Sequence, residues 1–512
     1  MAENSLQEIF RAFIEEHGNK DRIGEAISHA LSEGVLDSSF IEDLIVSEKT
    51  DGFLFSHYLQ KQRNLLIANC LVSLCEKREV YKSLLCQAAK ELSLSSFPKE
   101  FQLAEALFSL NMYNFFKDRK IQLKAKVLSN GACPQDWQGN WPKLSLPDPI
   151  VHAELGFVWA VLGYLLNDLD LLSAASALAQ WQLNYTVDHR YQPVLGLYCQ
   201  EGKASKSKAL CMNFLLFHAV AVFCKLPQLE EVAQKQLFHL REMKISGDVY
   251  FFAYAALLSA WMEKFTEEIQ AKPVDFLPSM CDPSVAIVGK RTESTYAIST
   301  LLGSNTGLGA FAANDIAIVN FGPQRFPLGD CAGFGIEKIL DLSKKDVPEA
   351  FFELGEDSFS LKGTCRLAGE KIVSKNGDRG DLFLTEHSGI WVDVIQKYVS
   401  GELSVEVFPY TLSQEEQIAF VFYVQGTSCR LKNGLKVKPR SLEQYEGRVE
   451  SISLQGSTAT IELDEGSQVQ HMQVIPLAGD DNFWGADFLI AYTLPLKAKK
   501  FSWKIRSVFT KA

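Results

Sequence analysis

Two hydrophobic periodicities divide this chain. Up to about residue 270, apolar residues recur at positions i, i+3, i+4 and i+7, the spacing of a helix that buries one face. The short connections between these segments are typical of antiparallel helix pairs. The predicted helices cover residues 6–17, 23–32, 40–46, 64–76, 80–92, 101–116, 150–167, 168–183, 206–225, 226–243 and 247–270.

After about residue 315 the pattern changes to an alternation of apolar and polar residues, which is the period of a half-buried strand. ELSVEVFPY, STATIELDEG and FSWKIRSVF show this alternation, and Gly, Asn and Asp separate such segments as turn residues. We count about ten strands or more by this criterion. So many short strands predict a sandwich of large antiparallel sheets rather than one small barrel.

The stretch 286–324 joins the two patterns. Gly303, Asn305, Gly307 and Gly309 follow an apolar segment there, and residues that tolerate positive φ indicate a tight turn. A phosphate-binding loop would need a Lys-Ser or Lys-Thr pair, which this stretch lacks. We therefore predict a multidomain α and β protein, with a helical-hairpin domain at 1–280, a linker at 281–314 and an antiparallel β-sandwich domain at 315–512.

Length, net charge and cysteine spacing limit the classes of function that this chain could have. With 512 residues and 47% hydrophobic content the chain can bury large cores. Its formal net charge of −11 argues against a nucleic-acid surface, so an anionic substrate would need a local basic pocket. The eleven cysteines form no CxxC pair, which indicates reduced thiols and neither a metal nor a cofactor site.

The N-terminal segment carries acids where a signal peptide has a basic region, and no uninterrupted apolar run of about 18 residues appears. We therefore expect a cytoplasmic protein with no transmembrane segment. In the last sixteen residues six cations occur without an acid, and Phe501, Trp503 and Ile505 alternate with them. This predicts an amphipathic last strand with its basic face in water, and contact with a membrane or a polyanion is the alternative.

Two loops carry the candidate chemistry. The segment 129–149 is too rich in Pro, Gly and Asn to be helical, and its Trp137 and Trp141 have flat faces that suit stacking on sugar rings. Anchoring of the loop to the core would explain both tryptophans equally well. The second loop, NYTVDHRYQP at 184–193, holds an amide, two tyrosines, a histidine and an arginine. Asn and Arg can bind a carboxylate, while His and Tyr can move protons; helix-cap and interface roles are the structural alternative.

A large helical half followed by a large β half, joined by a serine- and glycine-rich stretch, resembles the polysaccharide lyases that pair an α/α toroid with an antiparallel β-sandwich, especially heparinase II/III-like proteins. The resemblance implies a toroid-like helical domain and β-elimination on a uronate-containing oligo- or polysaccharide. It also implies catalytic roles for four residues, Asn184, His189, Tyr250 and His387, the last from the stretch TEHSGIW. The implied substrate-binding residues are Trp137, Trp141, Tyr185, Arg190 and Tyr191.

Three questions stay open at this level. Tyr185, Tyr191 and Tyr254 compete with Tyr250 for the tyrosine role. An inverting glycoside hydrolase on a toroid would instead need two carboxylates about 6.5 to 9.5 Å apart. Its candidate acids are Glu154, Asp188, Asp248, Glu293 and Glu386. A binding or interaction scaffold without catalysis is the third class, because one fold hosts many functions.

Overall fold

The computed structural model describes the larger part of the chain. The described residues are 5–17, 22–34, 38–46, 55–75, 78–92, 102–115, 150–184, 186–187, 192–193, 205–243, 249–264, 266–282, 286–303, 307–326, 350–373, 383–410, 417–448, 451–465, 469, 471–477, 485–494 and 500–509.

The described part of the N-terminal half is helical, as the periodicity predicts. The helices are α1 Leu6–His17, α2 Arg22–Glu33, α3 Ser38–Val46, α4 Phe55–Leu74, α5 Arg78–Leu92, α6 Gln102–Phe115, α7 Val151–Leu166, α8 Leu169–Asn184, α9 Lys206–Phe223, α10 Pro227–Glu242 and α11 Val249–Glu263. Helix α9 contacts α7, α8, α10 and α11. A short hairpin of β1 Thr186–Val187 and β2 Gln192–Pro193 lies between α8 and α9.

The C-terminal half forms two antiparallel sheets. The strands are β3 Ser279–Asp282, β4 Ile287–Arg291, β5 Thr295–Gly303, β6 Gly307–Ala313, β7 Ile316–Phe326, β8 Ala350–Leu354, β9 Ser358–Val373, β10 Phe383–Val399, β11 Glu402–Tyr410, β12 Gln417–Gln425, β13 Ser428–Leu431, β14 Lys436–Val437, β15 Tyr445–Gly447, β16 Ile452–Gln455, β17 Ala459–Glu465, β18 His471–Pro476, β19 Phe488–Leu494 and β20 Phe501–Phe509. The strand order is β15-β18-β19-β12-β7-β6-β5-β4-β3 in the first sheet, called here the inner sheet. It is β14-β13-β16-β17-β20-β11-β10-β9-β8 in the second, the outer sheet.

The central strands of the inner sheet are buried on both faces. Along β12, Phe420 and Phe422 point into the sandwich core, while Ala419, Val421 and Tyr423 belong to the core shared with the helices. A strand covered on both sides has no polar face, which explains the uninterrupted apolar run IAFVFYV at 418–424. The predicted order of helices followed by a sandwich of antiparallel sheets is therefore confirmed, while the toroid-like ring of helices stays a prediction.

The stretch 281–314 corrects the sequence-based expectation of a linker. Its described residues lie largely in β3 to β6 of the inner sheet, so the strands begin at Ser279. Gly307 and Gly309 sit within β6 at φ +72° and +147°, and a Cβ at Gly309 would overlap the carbonyl oxygen of Ile298. These glycines therefore allow irregular register and close strand approach rather than a flexible joint. The division into separate domains stays a prediction.

Helix α9 and the last strand bear on two sequence-based expectations, the absence of a transmembrane segment and the amphipathic character of the last strand. Lys206–Phe223 is long and apolar enough to cross a membrane, but 83% of it is buried inside the protein, as expected for a core helix. In β20, Phe501, Trp503 and Ile505 are buried in the sandwich core. The outward Arg506 pairs with Glu402 at 2.6 Å, so the amphipathic last strand is confirmed within the described residues.

A carboxylate links the turns of the two sheets. Asp315, between β6 and β7, accepts hydrogen bonds from the backbone of Ser457 and Thr458 and, at 2.8 Å, from the Thr458 hydroxyl. Burial opposes ionisation of Asp315, but these donors outweigh it and lower its pKa to about 2. The stabilisation is therefore complete above the unfolded pKa of 3.8 and is lost as the pH falls toward 2.

We expect Asp315→Asn to lower the free energy of unfolding by about 1 kcal/mol at pH 7, a value discounted for the solvent exposure of this carboxylate. Urea unfolding of both proteins from pH 7 to pH 2 measures the difference. It should shrink below pH 4 and vanish near pH 2; a difference that is independent of pH would contradict the proposed link.

Candidate functional site

Five polar side chains are buried together at one end of the helical half. We call Arg63 and Asn64 of α4, Glu154 of α7 and Tyr250 and Tyr254 of α11 the polar cluster. Their relative exposures are 2, 7, 1, 9 and 0% respectively. Charged groups at such depth are held only where they are paired.

The centre of the polar cluster is an ion pair. The Arg63 guanidinium donates to Glu154 in a two-pronged geometry, from Nε to Oε1 at 3.0 Å and from Nη2 to Oε2 at 2.6 Å. The same guanidinium lies 4.8 Å above the Phe251 ring. Two parallel hydrogen bonds fix both the distance and the orientation of α4 against α7. The pair therefore serves as a rigid base for its neighbours.

Tyr254 is bound to this ion pair. Its hydroxyl donates to Glu154 Oε1 at 3.0 Å. Burial raises the pKa of Tyr254 well above its usual value, and the negative charge of Glu154 raises it further. Tyr254 is thus neutral at physiological pH and its proton is held by the carboxylate, so this tyrosine is poorly suited to serve as a base.

Tyr250 lies one helical turn before Tyr254 and has a different partner. Its hydroxyl donates to Asn64 Oδ1 at 3.1 Å. The two tyrosine rings stack with centroids 6.2 Å apart and an interplanar angle of 19°. Positions four residues apart share one helix face, which places both rings over α4. The Tyr250 hydroxyl therefore contacts a neutral amide rather than a buried charge.

The end of α8 is fastened to the inner sheet. Trp181 Nε1 donates to Asp282 Oδ2 at 3.1 Å, and the Tyr296 hydroxyl donates to the backbone carbonyl of Asn184 at 2.5 Å. Just beyond, Arg291 Nη2 donates to the carbonyl of Thr186 at 2.9 Å. The hairpin β1–β2, which brackets the loop 188–191, is thus anchored where the helical half meets the inner sheet.

One histidine connects this anchor to the polar cluster. His152 meets the Trp181 ring edge-on with centroids 5.5 Å apart, and it precedes Glu154 by two residues in the first turns of α7. Burial lowers the pKa of His152 to about 3, so the ring is neutral and not a proton donor at physiological pH. The start of α7, the end of α8 and the start of α11 consequently lie at the same end of the helical half.

Of the nine residues to which the resemblance assigns a catalytic or substrate-binding role, the structure places three. Asn184 is buried at the end of α8, and Tyr250 belongs to the polar cluster. The backbone of His387 lies in β10 of the outer sheet, opposite Ala368 of β9. The remaining candidates lie outside the described residues: Trp137, Trp141, Tyr185, His189, Arg190 and Tyr191. Convergence of these residues on one cleft stays a prediction.

The periodicity analysis did not single out Arg63 or Asn64, because both lie in the polar run QKQRN at 60–64. Glu154 does interrupt the apolar pattern of α7, and a charge on an apolar helix face indicates a buried partner. Glu154, considered above as a hydrolase acid, is engaged by Arg63, while Glu293 lies exposed in a turn. Within the described ranges, no three His, Cys, Asp or Glu side chains are grouped to hold a metal ion.

Comparison with known proteins rests on structure. No protein-family model and no curated protein sequence matches this chain. A Paenibacillus xanthan lyase is similar at a TM-score of 0.53 and 10% identity, over 99% of this chain and 53% of that one. The chondroitin AC lyase of Streptomyces coelicolor A3, solved with chondroitin sulphate, is similar at a TM-score of 0.50 and 8% identity, over 99% of this chain and 74% of that one. A heparan sulfate lyase of Pedobacter heparinus has a TM-score of 0.47 and 9% identity, over 99% of this chain and 76% of that one.

The chain has a polysaccharide lyase fold. The xanthan and chondroitin lyase matches cover 99% of it, so both the helical half and the two sheets are included. Identities of 8 to 10% show the fold alone. What a polysaccharide lyase fold does in this chain must therefore be argued from the residues at the junction of its halves.

Proposed function

We propose that the protein is a carbohydrate-active lyase that performs β-elimination on a uronate-containing glycan. The observation that supports this most is the location of Tyr250. Its hydroxyl belongs to the polar cluster, at the end of the helical half where Thr186, just beyond Asn184, is anchored to the inner sheet. In a polysaccharide lyase fold, a proton-transfer group and the amide of Asn184 at the end of α8 fit elimination chemistry at this junction.

The reaction needs a base, an acid and a group that neutralises the uronate carboxylate. A base removes the C5 proton beside the uronate carboxylate, the C4–O bond breaks as the C4=C5 double bond forms, and an acid protonates the departing oxygen. Because the C5 proton is weakly acidic, the carboxylate must be neutralised as negative charge develops on it. One well-placed donor is worth about 3 to 4 kcal/mol in comparable enzymes.

Roles for individual residues follow from the resemblance together with the described contacts. We assign Asn184 and Arg190 to the carboxylate, and Tyr250, His189 and His387 to proton transfer. Trp137 and Trp141, with Tyr185 and Tyr191, are proposed to hold the sugar rings by stacking. In this assignment Tyr250 is the tyrosine that exchanges a proton with the substrate, because Tyr254 is engaged by the buried carboxylate of Glu154.

The experiment is an assay with uronic-acid polymers, including chondroitin sulphate, heparan sulphate, alginate and xanthan, in which absorbance follows the unsaturated product. We expect one polymer to give product, and Asn184→Ala to lower kcat/KM by about 100-fold, the loss of one stabilising donor. Asn213→Ala is the matched control, since Asn213 is a buried amide whose Nδ2 donates to a backbone carbonyl within α9.

Each other result selects a different function. New reducing ends without unsaturation would identify a glycoside hydrolase. Retained binding of a glycan with no product on any polymer would identify a scaffold without catalysis. An equal loss of activity in the Asn213 control would remove Asn184 from the site while leaving the lyase assignment in place.

A further inference from the structure

The amide of Asn64 has three hydrogen-bond contacts that fix its orientation. Its Oδ1 accepts from Gln60 Nε2 at 3.1 Å as well as from the Tyr250 hydroxyl at 3.1 Å. Its Nδ2 donates to the backbone carbonyl of Leu44 at 3.4 Å. The carbonyl of Leu44 can only accept and the amide group of Gln60 donates, so the oxygen of Asn64 must face Tyr250.

This orientation decides where the Tyr250 proton lies. An amide oxygen has no proton to give, so the Tyr250 hydroxyl is the donor in this contact. A rotating hydroxyl thus becomes a group with a defined direction, as proton transfer requires.

The helix that carries Asn64 is itself held rigidly. The neighbouring residue, Arg63, makes the two-pronged bond to Glu154, and both residues lie on the same turn of α4. Fixing Arg63 therefore also limits how far Asn64 can move relative to α11. Two consecutive residues of α4 therefore contact the two tyrosines of α11 by different routes. Arg63 binds Glu154, which accepts from Tyr254, whereas Asn64 accepts directly from Tyr250.

We infer that Asn64 is a positioning residue that fixes the direction of the Tyr250 hydroxyl by accepting its proton in a hydrogen bond. Its catalytic consequence rests on the proposed function, whereas the orientation itself does not. Asn64 does not touch the substrate in this inference. It fixes the direction of the one tyrosine that does.

Two readouts test the inference. The first needs no substrate: with tyrosine labelled at Cζ with ¹³C, the resonance missing from Tyr250→Phe is that of Tyr250, and its shift reports the hydrogen bond of its hydroxyl. We expect Asn64→Leu to move this resonance. Asn64→Asp, which keeps an acceptor oxygen, should return it toward its original position. The second readout is the assay for unsaturated product, in which Asn64→Leu should lower kcat by about 100-fold with KM within about twofold.

Asn69→Leu is the matched control, because Asn69 is a buried amide of the same helix whose Nδ2 donates to Asn111 Oδ1 at 3.1 Å. It should leave the Tyr250 resonance and kcat unchanged. If Asn64→Leu does not fold, Asn64→Ser replaces it, because its shorter side chain ends before the Tyr250 hydroxyl. An unmoved Tyr250 resonance in a folded Asn64 variant, or an equal shift in the control, would overturn the inference. Absence of product from the wild type would reject the proposed function alone, since the resonance still decides the orientation.

Discussion

Glu154→Gln is expected to lower the free energy of unfolding by about 3 to 5 kcal/mol, the largest single effect on stability that we predict. The substitution keeps the shape of the side chain and an acceptor for the Tyr254 hydroxyl. It removes the negative charge, however, and leaves the guanidinium of Arg63 buried at 2% exposure without a counter-charge. Urea unfolding followed by far-ultraviolet circular dichroism measures the helical transition.

The double variant Arg63→Met with Glu154→Gln separates the charge from the packing. Removing both charges should restore most of the lost stability. The methionine at position 63 is similar in length to arginine but carries no charge, so its burial has no desolvation cost. If the single substitution costs less than about 1 kcal/mol, or if the double variant is less stable than the single one, the ion pair is not the rigid base of the polar cluster.

Tyr250→Phe is expected to lower kcat for the unsaturated product by about 10² to 10⁴-fold, the usual contribution of a positioned acid or base. The proposed proton-transfer group is lost while the ring and its packing remain. Tyr254→Phe is the matched variant, since both hydroxyls lie on one face of α11 and differ in their partner. It should leave kcat within a few fold, because the Tyr254 proton is held by Glu154.

The free energy of unfolding should show the opposite order, with the larger loss in Tyr254→Phe. Tyr254→Phe leaves Glu154 with one donor fewer in a fully buried site and should cost about 1 to 3 kcal/mol. Tyr250→Phe removes a bond between neutral groups and should cost about 1 kcal/mol. A larger loss of kcat in Tyr254→Phe than in Tyr250→Phe would exchange the roles assigned to the two tyrosines.

Local periodicity predicted the elements well because it reflects burial. The helix expected at 6–17 is observed as Leu6–His17, and the alternation in the last strand is observed with Trp503 buried and Arg506 outward. A face that must be buried imposes its spacing on the residues themselves. Helix and strand order could therefore be predicted without knowledge of any partner.

The linker expected at 281–314 shows where that reasoning fails. Glycines within seven residues indicate a turn from local propensity, yet Gly307 and Gly309 lie in a strand of the inner sheet. The reason is tertiary, because Gly309 is required where the backbone of Ile298 comes too close for a Cβ. No pattern along the chain records the distance between two strands.

The candidate site divides in the same way. The sequence by itself placed Tyr250 and Tyr254 in one predicted helix and singled out the segment that begins at Asn184, although Asn184 itself ends α8. It could not choose between the tyrosines, since the two have the same side chain and differ by one helical turn. The choice depends on Glu154 and Asn64, which are 100 and 186 residues away from their tyrosines in the chain. A hydroxyl takes its chemistry from the group it bonds, and only the packing of α4 and α7 against α11 decided which group each tyrosine meets.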